Sequence, residues 1–168
     1  MYLFFYYRHS LVSHKQNLQL AFLILQETGL METRMPNWER GVANILFTIQ
    51  EFKKLKPQLN WNDFILIGHS NGGDMTMLFA TRYPQLINKA ISMDHRRMIM
   101  PRTRNPRLYT LRGCDYDADS GVLPTEKEQE QFRMKVVKVL FYSMVLNRKP
   151  VFLITLQLIL EKEVWNDK

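Results

Sequence analysis

A single cysteine, Cys114, is present among 168 residues. One thiol excludes an internal disulfide framework and any multi-cysteine zinc site, and it is compatible with a reducing, cytoplasmic compartment. Long uninterrupted apolar runs are also missing. The opening run from Met1 to Tyr7 stops at Arg8 and His9, with neither a basic start nor a small-residue cleavage site, so it is not read as a signal peptide. Between Val139 and Leu160 the insertion Asn147-Arg148-Lys149-Pro150 leaves pieces too short to cross a bilayer as one helix. No integral membrane segment is expected. There is no internal repeat and no low-complexity linker. The 23 basic and 16 acidic residues give a net charge of +7, which permits loose attraction to anions without specifying nucleic acid, and no nucleic-acid partner is expected. No motif implies a metal or an organic cofactor. Histidine is sparse as well: His9, His14, His69 and His95 are the full set, and none follows His95.

What is present suits one folded domain. A hydrophobic share of 46% with 23% charged residues lies far from the composition of disordered chains. The whole chain, 1–168, is read as one α/β domain built on an open, mostly parallel sheet flanked by helices, with residues 36–139 regular and 1–35 and 140–168 atypical. From Asn37, taken as a helix N-cap, the residues Trp38, Val42, Ile45, Leu46, Ile49 and Phe52 mark one helical face, ended by Lys53, Lys54, Lys56 and Pro57. Phe64-Ile65-Leu66-Ile67 is a continuous apolar run of the kind buried on both faces of a parallel sheet. A helix from about Asn71 to Tyr83, strands at 90–93 and 108–111, a helix over 126–132 and Val136-Val137 complete the alternation. Met75, Met77, Met93, Met98 and Met100 are read as core filling rather than as a pliable pocket. The arginines at 96, 97, 102, 104 and 107 either form a solvated loop, the reading preferred here, or meet an anionic substrate.

Between the first strand of that alternation and its helix lies Gly68-His69-Ser70-Asn71-Gly72-Gly73. A serine on a sharp strand-to-helix turn has strained backbone angles, and small residues two positions to either side, Gly68 and Gly72, give the clearance. The turn lifts the Ser70 hydroxyl out of the sheet. The start of the next helix adds N–H groups and positive dipole where an oxyanion would form, so the Asn71 amide is a candidate oxyanion donor. His69 fills the variable position of the elbow.

With the helix that ends in Tyr83-Pro84 and the next strand that ends in Asp94, this segment resembles the α/β-hydrolase superfamily, in particular its esterase, lipase and serine-peptidase-like members. The resemblance covers roughly residues 36–139. It implies ester or amide hydrolysis of a small-molecule substrate, Ser70 as nucleophile and a carboxylate that orients a histidine. Asp115, at the end of a strand-and-loop segment that resembles the one carrying the family's acid, is the first choice; Asp119 is second and Asp117 third. The family's base follows its acid in chain order, and that position is vacant here. His95, next to Asp94 at the carboxyl end of a strand, is the available substitute, and His69 is expected to point away from the hydroxyl. Without a base, activity is expected to fall by orders of magnitude, so a catalytically inactive hydrolase-like fragment or binding module is the competing reading. Truncation or frameshifting of a longer coding sequence is the expectation that accounts for the atypical ends.

Overall fold

A computed structural model describes residues 2–5, 30–113, 117–139 and 161–162. Among the described residues five parallel strands stand side by side in chain order: β1 (Tyr2–Phe5), β2 (Ile65–His69), β3 (Lys89–Met93), β4 (Arg107–Arg112) and β5 (Lys135–Lys138). Among the described residues three α-helices accompany them: α1 (Leu30–Leu55), α2 (Asn71–Arg82) and α3 (Glu126–Phe132). Parallel neighbours need crossovers, and right-handed crossovers in a sheet that advances in one direction put every helix on the same face. The packing follows that rule. Trp38, Val42, Ile45 and Ile49 of α1, Met77, Leu78 and Phe79 of α2, and Phe132 of α3 join Leu66, Ala90 and Leu108 of the sheet in one cluster.

The alternate residues of the same strands build a second cluster from Ile65, Ile67, Ile91, Met93, Tyr109 and Leu111, with Val137 and Val139 against it. Burial on both faces is why β2 reads as an unbroken apolar run rather than as an alternation. All five methionines read as core filling are buried, four of them, Met75, Met77, Met98 and Met100, in the helix-side cluster. Each fully buried side chain of this size contributes about 1.5–3 kcal/mol relative to exposure.

Two local readings give way to tertiary packing. Asn37 is not a cap, because α1 already runs at Leu30 and continues through Pro36. Proline removes one backbone donor from the helix, but the buried Trp38, Val42, Ile45 and Ile49 stripe holds the helix on the sheet beyond it. Phe52 is 42% exposed, so the buried stripe of α1 ends at Ile49. The basic final turn, Lys53 and Lys54, is as expected.

The arginine-rich loop is largely pegged. Arg102 donates to Glu128 Oε1 at 3.0 Å, to the Met100 carbonyl at 2.5 Å and to the Leu123 carbonyl at 2.9 Å. Arg104 donates to the Gln131 carbonyl at 2.8 Å. Glu128 also closes a capping box with Thr125 at the start of α3.

Candidate functional site

Because all strands are parallel, their carboxyl ends share one edge, and the ends of β2, β3 and β4 bring Ser70, Asp94 and Gly113 to it. Ser70 sits between β2 and α2 at φ 53°, ψ −118°, a conformation that non-glycine residues rarely adopt. Such strain persists only where the surroundings over-determine it. Here the Ser70 N–H donates to the Met93 carbonyl at 2.7 Å, and the Ser70 carbonyl accepts from the Asp74 N–H at 3.1 Å. The side chain is left exposed, and among the described residues none hydrogen-bonds its hydroxyl.

Gly68 is required by contact rather than by its own dihedrals. A Cβ there would overlap the Gly72 carbonyl and Thr76 Oγ1, so the first turn of α2 lies directly against the end of β2. Gly73 is tight for a second reason: its Cβ would come within 3.0 Å of His95 Cβ and 3.3 Å of the Met93 carbonyl. The elbow therefore has Gly68 beneath it and Gly73 beside it. Asn71 opens α2, where the first backbone N–H groups have no intrahelical acceptor. Its side chain is held by Trp38, whose Nε1 donates to Asn71 Oδ1 at 2.6 Å.

The remaining sequence candidates are placed as follows. His95 is fully buried; its Nδ1 lies 2.7 Å from Ser92 Oγ and 3.3 Å from Thr110 Oγ1, and Arg112 donates to its carbonyl at 2.5 Å. Burial, reinforced by the nearby Arg112 charge, lowers its pKa to about 3, so the imidazole is neutral near pH 7. His95 Nε2 is sealed with no partner among the described residues. His69 is half-buried, its pKa lowered by that burial and raised in part by Asp94. Asp119 is exposed, and its N–H donates to the Arg96 carbonyl at 2.8 Å. Asp117 is exposed as well, with its carbonyl accepting from Arg96 Nε at 3.0 Å. Asp115, His9 and His14 lie outside the described residues.

Two carboxylates matter more than sequence reasoning allowed. Asp74 is 2% exposed in α2, and its Oδ1 accepts the backbone N–H groups of Arg96, Arg97 and Met98 at 3.2, 3.0 and 2.8 Å. Burial raises its pKa while those three donors pull it down. The readable signal was a charge inside the otherwise uncharged run Gly72-Gly73-Asp74-Met75-Thr76-Met77. Asp94 has φ 52° and accepts the Gly113 N–H at 2.7 Å, fixing the exit of β3 to the exit of β4.

Chemically, the edge combines an exposed, strained hydroxyl with a helix N-terminus whose amides face outward, an arrangement able to present a nucleophile and to hold an anion. No protein-family model and no solved structure matches the chain. A probable serine hydrolase of Drosophila melanogaster is 29% identical over 118 residues, 66% of this chain and 36% of the fly protein. Serine hydrolase-like proteins of Homo sapiens and Mus musculus are 32% and 35% identical over 59 and 46 residues, 34% and 27% of this chain. The matched part covers 29% of the human protein and 15% of the mouse protein, so the chain spans about a third or less of each of these relatives. No helix among the described residues is long and apolar enough to cross a membrane. The fold is α/β, and the partial similarities relate the chain to a hydrolase-like family.

Proposed function

We propose that the chain carries the nucleophile side of an α/β-hydrolase-type serine hydrolase site, acting on a carboxylic ester or amide. In this reading Ser70 Oγ attacks the carbonyl carbon, and its proton passes to a general base. The backbone N–H of Asn71 holds the resulting oxyanion. Collapse expels the alcohol or amine, which takes that proton back from the base, and water, losing a proton to the same base, then releases the acid from Ser70. The observation that carries the reading is the positive φ of Ser70 at a β2-to-α2 junction whose close contact only glycine at 68 permits. The serine hydrolase-like names of the partial relatives agree with it.

The base is the weak part of the constellation. His95 has its Nδ1 against Ser92 and its Nε2 sealed, an arrangement that suits support of the elbow better than proton transfer to and from solvent-exposed Ser70. That same observation favours the second reading, an elbow retained in a protein that binds but does not turn over. Incubation with a fluorophosphonate probe and, separately, a p-nitrophenyl short-chain ester tests both. Labelling and ester turnover that vanish in Ser70→Ala support the hydrolase; labelling without turnover supports the binding protein. Equal labelling of the wild type and Ser70→Ala overturns the nucleophile.

A further inference from the structure

Three arginines, Arg34, Arg96 and Arg97, belong to segments that meet the start of α2 and are electrostatically coupled to one another. Arg34 stands one helical turn before Trp38, and residues four apart share a helix face; Trp38 is the residue whose indole holds Asn71. From the other side, Arg96 and Arg97 bring their backbones to Asp74, four residues after Ser70. The charges sense one another. Burial and the nearby Arg97 and Arg96 lower the pKa of Arg34, against which Asp74 acts in the raising direction.

Asp74 does not answer this positive charge with a carboxylate fork, because its Oδ1 is already taken by three backbone amides. Among the described residues the guanidinium groups of Arg34 and Arg97 have no hydrogen bond or ion pair, and the Nε of each is sealed from solvent without an acceptor. Arg96 differs, since its Nε donates to the Asp117 carbonyl at 3.0 Å. Half-buried like charges near one another repel, and an anion bound at the terminal nitrogens of these guanidinium groups relieves the repulsion.

We propose that Arg34 and Arg97, with Arg96 beside them, receive the anionic oxygens of a small ligand, a carboxylate or a phosphate, next to the Ser70 elbow. Joined to the proposed hydrolysis, on which this step rests, the substrate is an ester or amide that carries such a group away from its scissile bond. Guanidinium groups suit this role because their planar donors match two oxygens at once.

Calorimetric titration of the full chain with succinate and with inorganic phosphate, at low ionic strength, reads the site without any need for turnover. Saturable binding of either anion is expected, weakened roughly tenfold or more in Arg34→Gln and in Arg97→Gln, as for loss of a charge-assisted hydrogen bond. It should be unchanged in Lys127→Gln, which removes one positive charge from the exposed α3, and in Ser70→Ala. Which of the two anions binds identifies the group. Thermal melts check that each variant is folded, and Arg97→Gln, in a loop, carries the test if Arg34→Gln does not fold. No saturable binding, equal weakening by Lys127→Gln, or undiminished binding in both arginine variants overturns the proposal. If hydrolysis is absent but the titration behaves as expected, the hydrolase reading fails and the anion site stands. If the titration succeeds and turnover is present, mono-p-nitrophenyl succinate should be preferred over p-nitrophenyl acetate, with the preference lost in Arg97→Gln; no preference overturns the substrate class.

Discussion

Trp38 Nε1 donates to Asn71 Oδ1 at 2.6 Å, so a helix 33 residues upstream holds the residue that follows the elbow serine. Trp38 is fully buried, and its indole therefore serves the core and the site at once. Replacement by Phe keeps most of the apolar surface and removes the N–H. Asn71 Oδ1 then joins Asn71 Nδ2, which is already buried without a partner. Trp38→Phe is expected to cost about 1–3 kcal/mol, the range for stranding a buried polar group, read as a lower urea midpoint at unchanged slope.

Gly68 and Gly121 are both glycines that resist replacement, for different reasons, and a paired substitution separates them. A methyl group at 68 meets the Gly72 carbonyl, which is backbone and moves only if the first turn of α2 moves. Gly68→Ala is expected to cost about 3 kcal/mol or more and to abolish fluorophosphonate labelling. At Gly121 nothing lies within 4 Å and the burden is φ +78° alone. Gly121→Ala is expected to cost about 1 kcal/mol, with labelling retained. Denaturation midpoints of the two variants check the ranking.

The β2-elbow-α2 segment was legible because its signals are local: an apolar run, glycines at fixed offsets, a helix closed before Pro84. The start of α1 was not, since Pro36-Asn37 imitates a helix start and only the burial of Trp38 and Val42 against the sheet outweighs it. The aromatic opening run, of which Tyr2–Phe5 forms β1, has no alternation to mark it as a strand. At the site, the roles of Asp74 and His95 depend on chain returning from elsewhere. Asp74 meets residues 22 to 24 positions later, and His95 meets Thr110 across the β3–β4 pair. No short window of sequence contains both partners.

Asp74 offers the sharpest stability test of those non-local contacts. Asp74→Ala strands the amides of Arg96, Arg97 and Met98 together, and a cost of about 3 kcal/mol or more is expected, as for leaving several buried donors unmet. Asp74→Asn keeps an oxygen at the position of Oδ1 and should cost clearly less. Amide hydrogen exchange gives the site-specific readout: faster exchange at Arg97 and Met98 in the Ala variant, with a much smaller change in the Asn variant.

His95 predicts an acid-sensitive fold. Its pKa is about 3 in the folded protein against 6.5 for an ordinary histidine, so between those values the unfolded chain binds a proton that the folded chain refuses. Stability from this group is fully present above pH 6.5 and is lost as the pH falls toward 3. Between pH 7 and pH 5 the loss amounts to about 2 kcal/mol. His69, lowered by burial, acts in the same direction, whereas Asp74, raised by burial, acts oppositely and only upward from the ordinary carboxylate range. Urea unfolding at pH 7, 6 and 5 reads the slope. His95→Asn should flatten it even though the variant is less stable at pH 7, because the polar contact with Ser92 can persist while the titrating ring is gone. An unchanged slope in His95→Asn would assign the acid sensitivity to another group.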